Sequence, residues 1–331
     1  MSSWIAIEVL IAGLGVWLFS FVVEFLRRRP KPPPVLRWSA STVINYVKIG
    51  GVKLRYIKAG AGPTIVLLHT LRTQLDLFEK IIPELAQHFT VYALDYPGHG
   101  YSDIPRARYD AGFFVAAVEG FLEAHDLRDV TLAGVSIGGV ISLVLAARRN
   151  SRVARVASIN PYDYAKGRGF ARSSLFGRIT AYASLVPFLG ETFMRLRSFP
   201  VTRSILNGGV ARPSSISPAL MRELYFVGNR TRHYRAFISL LRNGKSWELA
   251  RQEYSRINVP VLLIYGDRDW SRTAERERTR AAIPQVVMKT INDGGHFLPL
   301  DQSRELFDLL TDFVGPNTLP RQQESAPPDN Q

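Results

Sequence analysis

Apolar residues are distributed very unevenly along this 331-residue chain. The most apolar stretch runs from Trp4 to Leu26, and its central part, Val9 to Val23, contains no charged residue. The basic run Arg27–Lys31 follows at once. A helix of this length can cross the hydrocarbon core of a bilayer. Because basic residues beside a membrane span favour the cytoplasmic side, we expect a single-pass anchor over residues 1–29 with the rest of the chain in the cytoplasm.

Two alternatives compete with the anchor. One alternative is a buried or surface-lying helix, because the apolar stretch is weakened by Glu8, Glu24, Gly13 and Gly15. A cleaved signal peptide fits less well, because no Lys or Arg precedes the apolar run and no small-residue cleavage site follows it. The anchor is the interpretation that the pattern favours, since the remaining chain already contains the elements of a complete fold.

After a proline-containing linker, residues 30–42, the apolar runs become short. Val43–Ile49 and Val52–Ile57 alternate between apolar and polar residues and meet at Gly50-Gly51, which indicates a hairpin. Asp76–His88 is predicted to be a helix, and strand-like and helical patterns alternate from there on. Such alternation predicts an α/β fold with a mostly parallel sheet and helices on both faces.

The alternation stops after residue 161 and resumes at residue 257, so the predicted core consists of residues 43–161 and 257–315. The intervening residues 162–256 contain apolar helical stretches, such as Leu175–Phe193 and Met221–Leu241. From Asp163 to Arg256 there are sixteen Lys or Arg and five Asp or Glu, a net charge of +11. The last residues, 316–331, are rich in Pro, Gln, Asn and Ser, and we predict that they are disordered.

Charge and composition narrow the function. The chain carries 42 Lys and Arg against 28 Asp and Glu, a net charge of +14, which favours anionic partners such as a membrane surface. It contains no zinc-finger spacing or other nucleic-acid-binding module, so we expect no nucleic-acid partner. With no cysteine and only six histidines, none at metal-ligand spacing, it offers no thiol chemistry, and we expect no metal and no cofactor.

The motif that carries chemistry is G-x-S-x-G at Gly134–Gly138, with Ser136 at its centre. An apolar strand pattern runs into it and a helical pattern leaves it. A sharp strand-to-helix turn holds the serine in a strained backbone conformation and therefore needs small residues two positions before and after it. The helix N-terminus behind the serine offers free N–H groups to a developing negative charge, the first from Ile137.

Downstream come the segments Gly266-Asp267-Arg268-Asp269 and Gly294-Gly295-His296, each after an apolar strand-like run. Serine, then acid, then histidine is the chain order of one well-known catalytic triad. Here the sequence resembles the α/β-hydrolase fold family, over roughly residues 45–314. The resemblance is to its serine esterase and lipase-like members, including membrane-tethered ones, and it implies an eight-stranded, mostly parallel sheet.

The resemblance also implies roles for individual residues. Ser136 is the expected nucleophile and His296 its base. The family's acid usually lies three residues after the glycine, which selects Asp269, while Asp267 and, at the end of the sixth strand, Asp163 remain as alternatives. Residues 162–256 correspond to a helical lid between the sixth and seventh strands, and its basic, apolar character favours contact with a membrane.

The second donor of the oxyanion hole would be the backbone N–H of Leu71, after the third strand. The family usually has His-Gly here, whereas this chain has His69-Thr70. A β-branched threonine resists the positive φ that glycine allows, so the loop is expected to have a different shape. Arg72 would then either face an anionic part of the substrate or, as we prefer, pair with an acidic surface residue. His69 and His99 are expected to be structural.

The first hypothesis is therefore a membrane-anchored serine hydrolase that cleaves carboxylic esters, lipid-like or other acyl esters, through an acyl-enzyme on Ser136. An acyltransferase, a perhydrolase or a hydrolase of C–C bonds could use the same three residues, because these reactions share the activated serine. A catalytically inactive binding protein on the same fold is the third hypothesis. The sequence leaves the natural substrate, its acyl length and the oligomeric state open.

Overall fold

The computed structural model describes residues 2–27 and 30–315. The tail for which disorder is predicted, residues 316–331, lies outside these ranges, as do Arg28 and Arg29 of the basic run.

An eight-stranded sheet forms the centre of the molecule, with the strand order β1-β2-β4-β3-β5-β6-β7-β8. β1 and β2 pair antiparallel, as do β2 and β4, and every other neighbouring pair is parallel. The predicted fold class is thus confirmed. The strands are β1 (Ile44–Ile49), β2 (Val52–Ala59), β3 (Thr64–Leu68), β4 (Thr90–Leu94), β5 (Val130–Val135), β6 (Val153–Ile159), β7 (Val261–Gly266) and β8 (Val286–Ile291).

The predicted hairpin is present. Gly50 and Gly51 connect β1 to β2 with φ angles of 54° and 83°, a region that glycine enters at little cost. The antiparallel strands lie at one edge of the sheet, so the central strands β3, β5, β6 and β7 run parallel and bring their carboxyl ends to the same edge. Strands buried on both faces are almost wholly apolar, which is true of β5 and β7.

Thirteen α-helices lie within the described ranges: α1 (Ser2–Phe25), α2 (Ile82–Leu85), α3 (Ala111–Ala124), α4 (Ile137–Ala147), α5 (Leu175–Ala183), α6 (Leu189–Arg195), α7 (Phe199–Asn207), α8 (Pro218–Gly228), α9 (His233–Arg242), α10 (Lys245–Ala250), α11 (Thr273–Ala281), α12 (Leu298–Asp301) and α13 (Ser303–Val314). Helices α5 to α10 occupy the insertion between β6 and β7, where helices were predicted. That they act as a lid stays a prediction.

The helix predicted over Asp76–His88 is wrong in its extent. A 3₁₀ turn covers Leu75–Phe78, and α2 begins only at Ile82. The reason is Pro83, which lies in the first turn of α2. Proline has no N–H and clashes with the preceding helical turn, so it is accepted at a helix start but not in the interior.

Helix α1 is long and apolar enough to cross a membrane, with a mean hydropathy of 2.3 over Trp4–Phe25 and only 6% of its most apolar window buried. Its last turn, however, is packed against the inserted helices. The Arg195 guanidinium of α6 lies 3.9 Å from the Phe21 ring centroid, and Arg195 Nε donates to Ser20 Oγ at 2.8 Å. The N-terminal helix is therefore in contact with the insertion between β6 and β7.

Candidate active site

Ser136 stands alone between β5 and α4, with φ 62° and ψ −116°. For a residue with a side chain this conformation costs about 1–3 kcal/mol, which the surroundings must offset. The two flanking glycines explain how the turn is possible. A Cβ on Gly134 would lie 2.1 Å from the carbonyl oxygen of Gly138, and a Cβ on Gly138 would lie 2.3 Å from that of Leu68. The G-x-S-x-G spacing therefore corresponds to the predicted tight strand–turn–helix.

Asp269 and His296 meet at the carboxyl end of the sheet. Asp269 follows β7 by three residues, His296 follows β8, and His296 Nδ1 lies 2.5 Å from Asp269 Oδ1. Burial alone would raise the pKa of Asp269, but the imidazole of His296 and hydrogen bonds from Ser271 outweigh burial and hold that pKa below its ordinary value. Asp269 is therefore ionised at neutral pH, and it fixes the orientation of the ring.

The His296 ring is held from its face as well as from its edge. The indole of Trp270 stacks on it, with ring centroids 3.8 Å apart and an interplanar angle of 14°. Trp270 Nε1 in turn donates to the carbonyl oxygen of Gly208 at 2.7 Å, which fixes the indole to the insertion. With one nitrogen bonded and one face covered, the imidazole has a single defined position.

Asn160, directly after β6, connects the loop of Asp269 with the loop of His296. The sequence analysis did not identify it. Its Nδ2 donates to the carbonyl oxygens of Gly295 and His296, and its Oδ1 accepts from the Gly266 N–H at 3.0 Å. The available signal was a polar residue directly after an apolar strand, followed by Pro161. Asn160 thus holds the loops that carry Asp269 and His296 together at the end of β6.

Ser136 belongs to the same cluster. The Tyr162 N–H donates to the Ser136 carbonyl oxygen at 3.3 Å, and the Tyr162 ring lies 5.9 Å from that of His296. Ser136 Oγ and His296 Nε2 are both fully buried, and neither has a hydrogen-bond partner within residues 2–27 and 30–315. Buried polar atoms without partners are costly and therefore uncommon. No other group of the described residues occupies either atom, so both keep their hydrogen-bonding capacity for each other and for a substrate, as a serine nucleophile and its base require.

The two alternative acids lie elsewhere. Asp267 is exposed and accepts the Gly294 N–H at 3.0 Å, so it shapes the loop before His296. Asp163 is buried and accepts from the Thr279 hydroxyl of α11 at 2.9 Å. Burial, only partly offset by Arg251 and Thr279, raises the pKa of Asp163 to about 7. Of the three candidate acids, Asp269 is the one whose carboxylate contacts His296.

The loop His69–Arg72 carries the N–H of Leu71, the second expected oxyanion donor, and is called the oxyanion loop below. The left-handed conformation falls on Arg72, with φ 64°, whereas Thr70 keeps a negative φ. Leu71 is buried, and Ile137 begins α4, where the first N–H groups have no partner within the helix. Because a Cβ on Gly138 would meet the Leu68 carbonyl oxygen, the end of β3 lies directly against the start of α4. The segments carrying the two expected donors are thus adjacent.

His69 anchors the start of that loop. Burial lowers its pKa to about 4, so the ring is neutral at physiological pH. Nδ1 lies 2.7 Å from the Thr70 carbonyl oxygen, to which it donates, and Nε2 accepts the Tyr96 N–H at 3.2 Å. His99 contacts the Pro97 carbonyl oxygen through Nδ1 at 3.2 Å. Both histidines are used for packing and hydrogen bonding, as the sequence indicated.

The prediction that Arg72 pairs with an acidic surface residue is wrong. Its guanidinium binds no carboxylate in the described part of the chain. It donates to the Gly228 carbonyl oxygen and to Asn229 Oδ1, the latter at 2.9 Å, and it contacts His233 Nδ1 at 3.0 Å. These partners lie on the insertion, so Arg72 joins the oxyanion loop to α8 and α9.

An apolar cavity adjoins the site. Leu71 and Arg72 of the oxyanion loop line it, with Trp270 and Phe297 beside His296, and most of its remaining wall comes from α6, α7 and α9. Two arginines, Arg72 and Arg197, contribute the charged part of the lining. A chain of apolar groups could enter this cavity beside the catalytic candidates.

Comparison with known proteins agrees with the observed fold. The sequence profile of the alpha/beta hydrolase fold matches residues 63–303. The chain belongs to the alpha/beta hydrolase fold family. Its relatives catalyse different reactions, so membership of this family makes the chain hydrolase-like without fixing the bond that it cleaves.

Three similar proteins show how different the reactions in this family are. A 2-hydroxy-6-oxo-2,4-heptadienoate hydrolase of Pseudomonas putida is 26% identical over 278 residues, which cover 81% of the present chain and 95% of the Pseudomonas enzyme. A haloalkane dehalogenase of Psychrobacter cryohalolentis is 28% identical over 287 residues, 80% and 88% of the two chains. The crystal structure of a bacterial membrane phospholipase A has a TM-score of 0.65 and 22% identity, with 95% and 98% of the two chains covered. At that identity, the last similarity shows a shared fold.

Proposed function

We propose that this hydrolase is a membrane-bound serine esterase that cleaves carboxylic esters, with Ser136 as nucleophile, His296 as general base and Asp269 as the residue that orients the base. The observation that carries the proposal is the buried contact of 2.5 Å between His296 Nδ1 and Asp269 Oδ1. It leaves Nε2 as the free nitrogen, in the same buried cluster as the unpartnered hydroxyl of Ser136.

The geometry supports a two-step reaction. With its Nδ1–H donated to Asp269, His296 takes the hydroxyl proton of Ser136 at Nε2 while Oγ attacks the ester carbonyl carbon. The carbonyl electron pair moves to oxygen, where the N–H groups of Ile137 and Leu71 would stabilise the negative charge. As the tetrahedral intermediate collapses, the alkoxide leaves with the proton from His296. Water then repeats the sequence on the acyl-enzyme and releases the acid.

The surface of the insertion supports a membrane location. An apolar patch on and between α5 and α6 is exposed: Phe176, Ile179, Tyr182, Phe188 and Leu189. Because α6 packs against the last turn of α1, this apolar patch lies next to the helix that could cross a bilayer. The insertion also carries the net charge of +11, which attracts anionic lipid headgroups. The fold shared with a membrane phospholipase A is consistent with a lipid-like ester as substrate.

The nucleophile is tested with a fluorophosphonate probe, which phosphonylates activated serines. We expect the full-length wild type to be labelled and Ser136→Ala to be unlabelled, because the hydroxyl that attacks phosphorus is gone. The matched control is Ser142→Ala, a buried serine in α4 whose hydroxyl donates to the Gly138 carbonyl oxygen, and it should label like wild type. Equal labelling of Ser136→Ala and wild type would show that the nucleophile is a different residue.

A second reaction has a specific observation in its favour. The relative from Pseudomonas putida is named as a hydrolase of a 2-hydroxy-6-oxo dienoate, so this chain could cleave a C–C bond with the same three side chains. Comparing kcat/KM for p-nitrophenyl esters of several acyl lengths with kcat/KM for such a dienoate distinguishes the two reactions.

Membrane topology is tested with introduced cysteines. The chain has no cysteine of its own, so only the introduced thiol can react. We propose that α1 spans the membrane with the catalytic residues on the cytoplasmic side. Cells expressing Glu123→Cys, an exposed position on α3, should react with an impermeant maleimide only after lysis, whereas Ser3→Cys should react in intact cells. The reverse pattern would contradict the topology, and a shortened product would indicate a cleaved signal peptide.

A further inference from the structure

Glu24 is the acidic residue that weakens the apolar pattern of α1, and the structure gives it buried partners. Only 7% of its surface is exposed. Oε1 accepts the Arg232 N–H at 2.7 Å, and Oε2 lies 3.3 Å from Arg197 Nη1 and 3.1 Å from Arg27 Nε. Arg27 also donates to the carbonyl oxygens of Arg195 and Arg197. The last turn of α1 is therefore fixed to the insertion by charged hydrogen bonds, which are about twice as strong as neutral ones.

The contacts continue from Glu24 to the oxyanion loop. Arg197 is buried, and its Nε donates to Asn229 Oδ1. The same oxygen accepts from Arg72 Nη2 at 2.9 Å. Arg72 directly follows Leu71 and takes the left-handed conformation of the loop. Three side-chain contacts thus connect the N-terminal helix with the segment whose N–H is expected to bind the oxyanion.

We call this series of contacts, from Glu24 through Arg197 and Asn229 to Arg72, the relay. It joins the carboxylate of Glu24 to several positively charged guanidinium groups. Arg27, Arg72 and Arg197 face Glu24 directly or through Asn229. Burial and the neighbouring charge of Arg27 lower the pKa of Arg72 to about 10, so its guanidinium is still charged at neutral pH. The negative charge of Glu24 offsets the repulsion between Arg197 and Arg72, whose guanidinium groups share one amide oxygen. Repulsion between charges in such a low-dielectric site is weakly screened.

We propose that Glu24 is a positioning residue for catalysis: it holds Arg197, which through Asn229 holds Arg72 and the Leu71 N–H of the oxyanion hole. This inference rests on the proposed esterase function. It makes α1 part of the catalytic machinery as well as a membrane anchor. A helix tethered in lipid thereby has a direct connection to the site where negative charge develops.

The test uses the full-length protein in detergent, with kcat and KM for a p-nitrophenyl ester, the rate of fluorophosphonate labelling and Tm. Glu24→Gln, which keeps the shape and removes the charge, should lower kcat by about 10- to 100-fold, the range expected for a misplaced catalytic group, with KM unchanged within about twofold. Glu24→Asp should restore part of the loss. The matched control is Glu8→Gln, the same change at an exposed position of the same helix, and it should behave as wild type.

The double variant shows whether Glu24 acts through Arg72. Arg72→Lys keeps a positive charge, but one ammonium cannot replace the planar guanidinium between Gly228, Asn229 and His233. It should lower kcat at constant KM, and adding Glu24→Gln should cause little further loss, because the two positions belong to one relay. If Glu24→Gln folds poorly, as a lowered Tm would show, Arg72→Lys alone carries the test.

Four outcomes would overturn the relay: equal kcat for Glu24→Gln and Glu8→Gln, a loss confined to KM, full activity of Arg72→Lys, or additive losses in the double variant. Failure of the esterase proposal looks different. In that case wild type would not hydrolyse the p-nitrophenyl ester at all, whereas failure of the relay alone would leave wild-type hydrolysis intact and its kcat equal to that of Glu24→Gln.

Discussion

Asp269→Asn should lower kcat for ester hydrolysis by about 10³- to 10⁴-fold while leaving the fold intact, the loss seen when a triad aspartate becomes an amide. The physical reason is the tautomer of His296. An asparagine can turn its amide N–H toward Nδ1, now 2.5 Å from the Asp269 carboxylate. The ring proton would then sit on Nε2, and the base could no longer accept a proton from Ser136. The measurement is kcat with a p-nitrophenyl ester at neutral pH, alongside Tm.

The matched control for that variant is Asp267→Asn, two residues earlier in the same loop. Asp267 is exposed and bonds to the Gly294 N–H, so its replacement should change kcat by less than about tenfold, in line with an indirect effect on the loop. A loss for Asp267→Asn as large as that for Asp269→Asn would show that the carboxylate contacting His296 is not the one that matters for the reaction.

Sequence reasoning succeeded where the signal is local. The parallel strands β5 and β7 are buried on both faces and therefore appear as short apolar runs, and Gly50-Gly51 fixes a hairpin through its own backbone freedom. The turn at Ser136 was equally local, because its geometry excludes any side chain at Gly134 and Gly138. Such features depend on a few neighbouring residues and not on distant parts of the fold.

The sequence failed where partners are distant in the chain. Arg72 was expected to bind a surface carboxylate, yet its partners lie more than 150 residues away on the insertion. Asn160 was overlooked because its role appears only when β6, β7 and the His296 loop are adjacent. In the sequence, Glu24 only weakens the apolar pattern of a membrane span, whereas in the fold it pairs with arginine side chains. No local pattern contains these contacts, since each is created by tertiary packing.

These distant contacts share a location. Asn160 and Arg72 contact loops at the edge of the sheet where Ser136 and His296 lie, and Glu24 contacts the insertion to which Arg72 is bonded. The sheet thus sets the approximate positions of the catalytic candidates, and polar side chains from sequentially remote segments fix their final positions. Catalysis depends on such precision, because a shift of about 1 Å can cost about a hundredfold in rate.

Asp163→Asn should stabilise the protein, and increasingly so as the pH rises. Asp163 is buried, with Thr279 as the donor to its carboxylate, while Arg251, Glu248, Tyr254 and Tyr265 are the other ionisable groups that influence it or feel its charge. Its pKa is about 7 in the fold against 3.8 ordinarily. The folded state therefore holds a proton that the unfolded chain releases, so stability is full below the unfolded pKa and is lost as the pH rises toward 7.

The size of this effect follows from the same two pKa values. Each pH unit between them costs about 1.4 kcal/mol, so roughly 2–3 kcal/mol of unfolding free energy should separate pH 5 from pH 8 at most. Asparagine cannot ionise, and the Asp163→Asn variant should lose this dependence. The measurement is the Tm difference between variant and wild type in detergent at both pH values, with exposed Asp129→Asn as the control. A difference that stays the same at pH 5 and pH 8 would mean that Asp163 is ionised throughout, and that Arg251 and Thr279 compensate its burial.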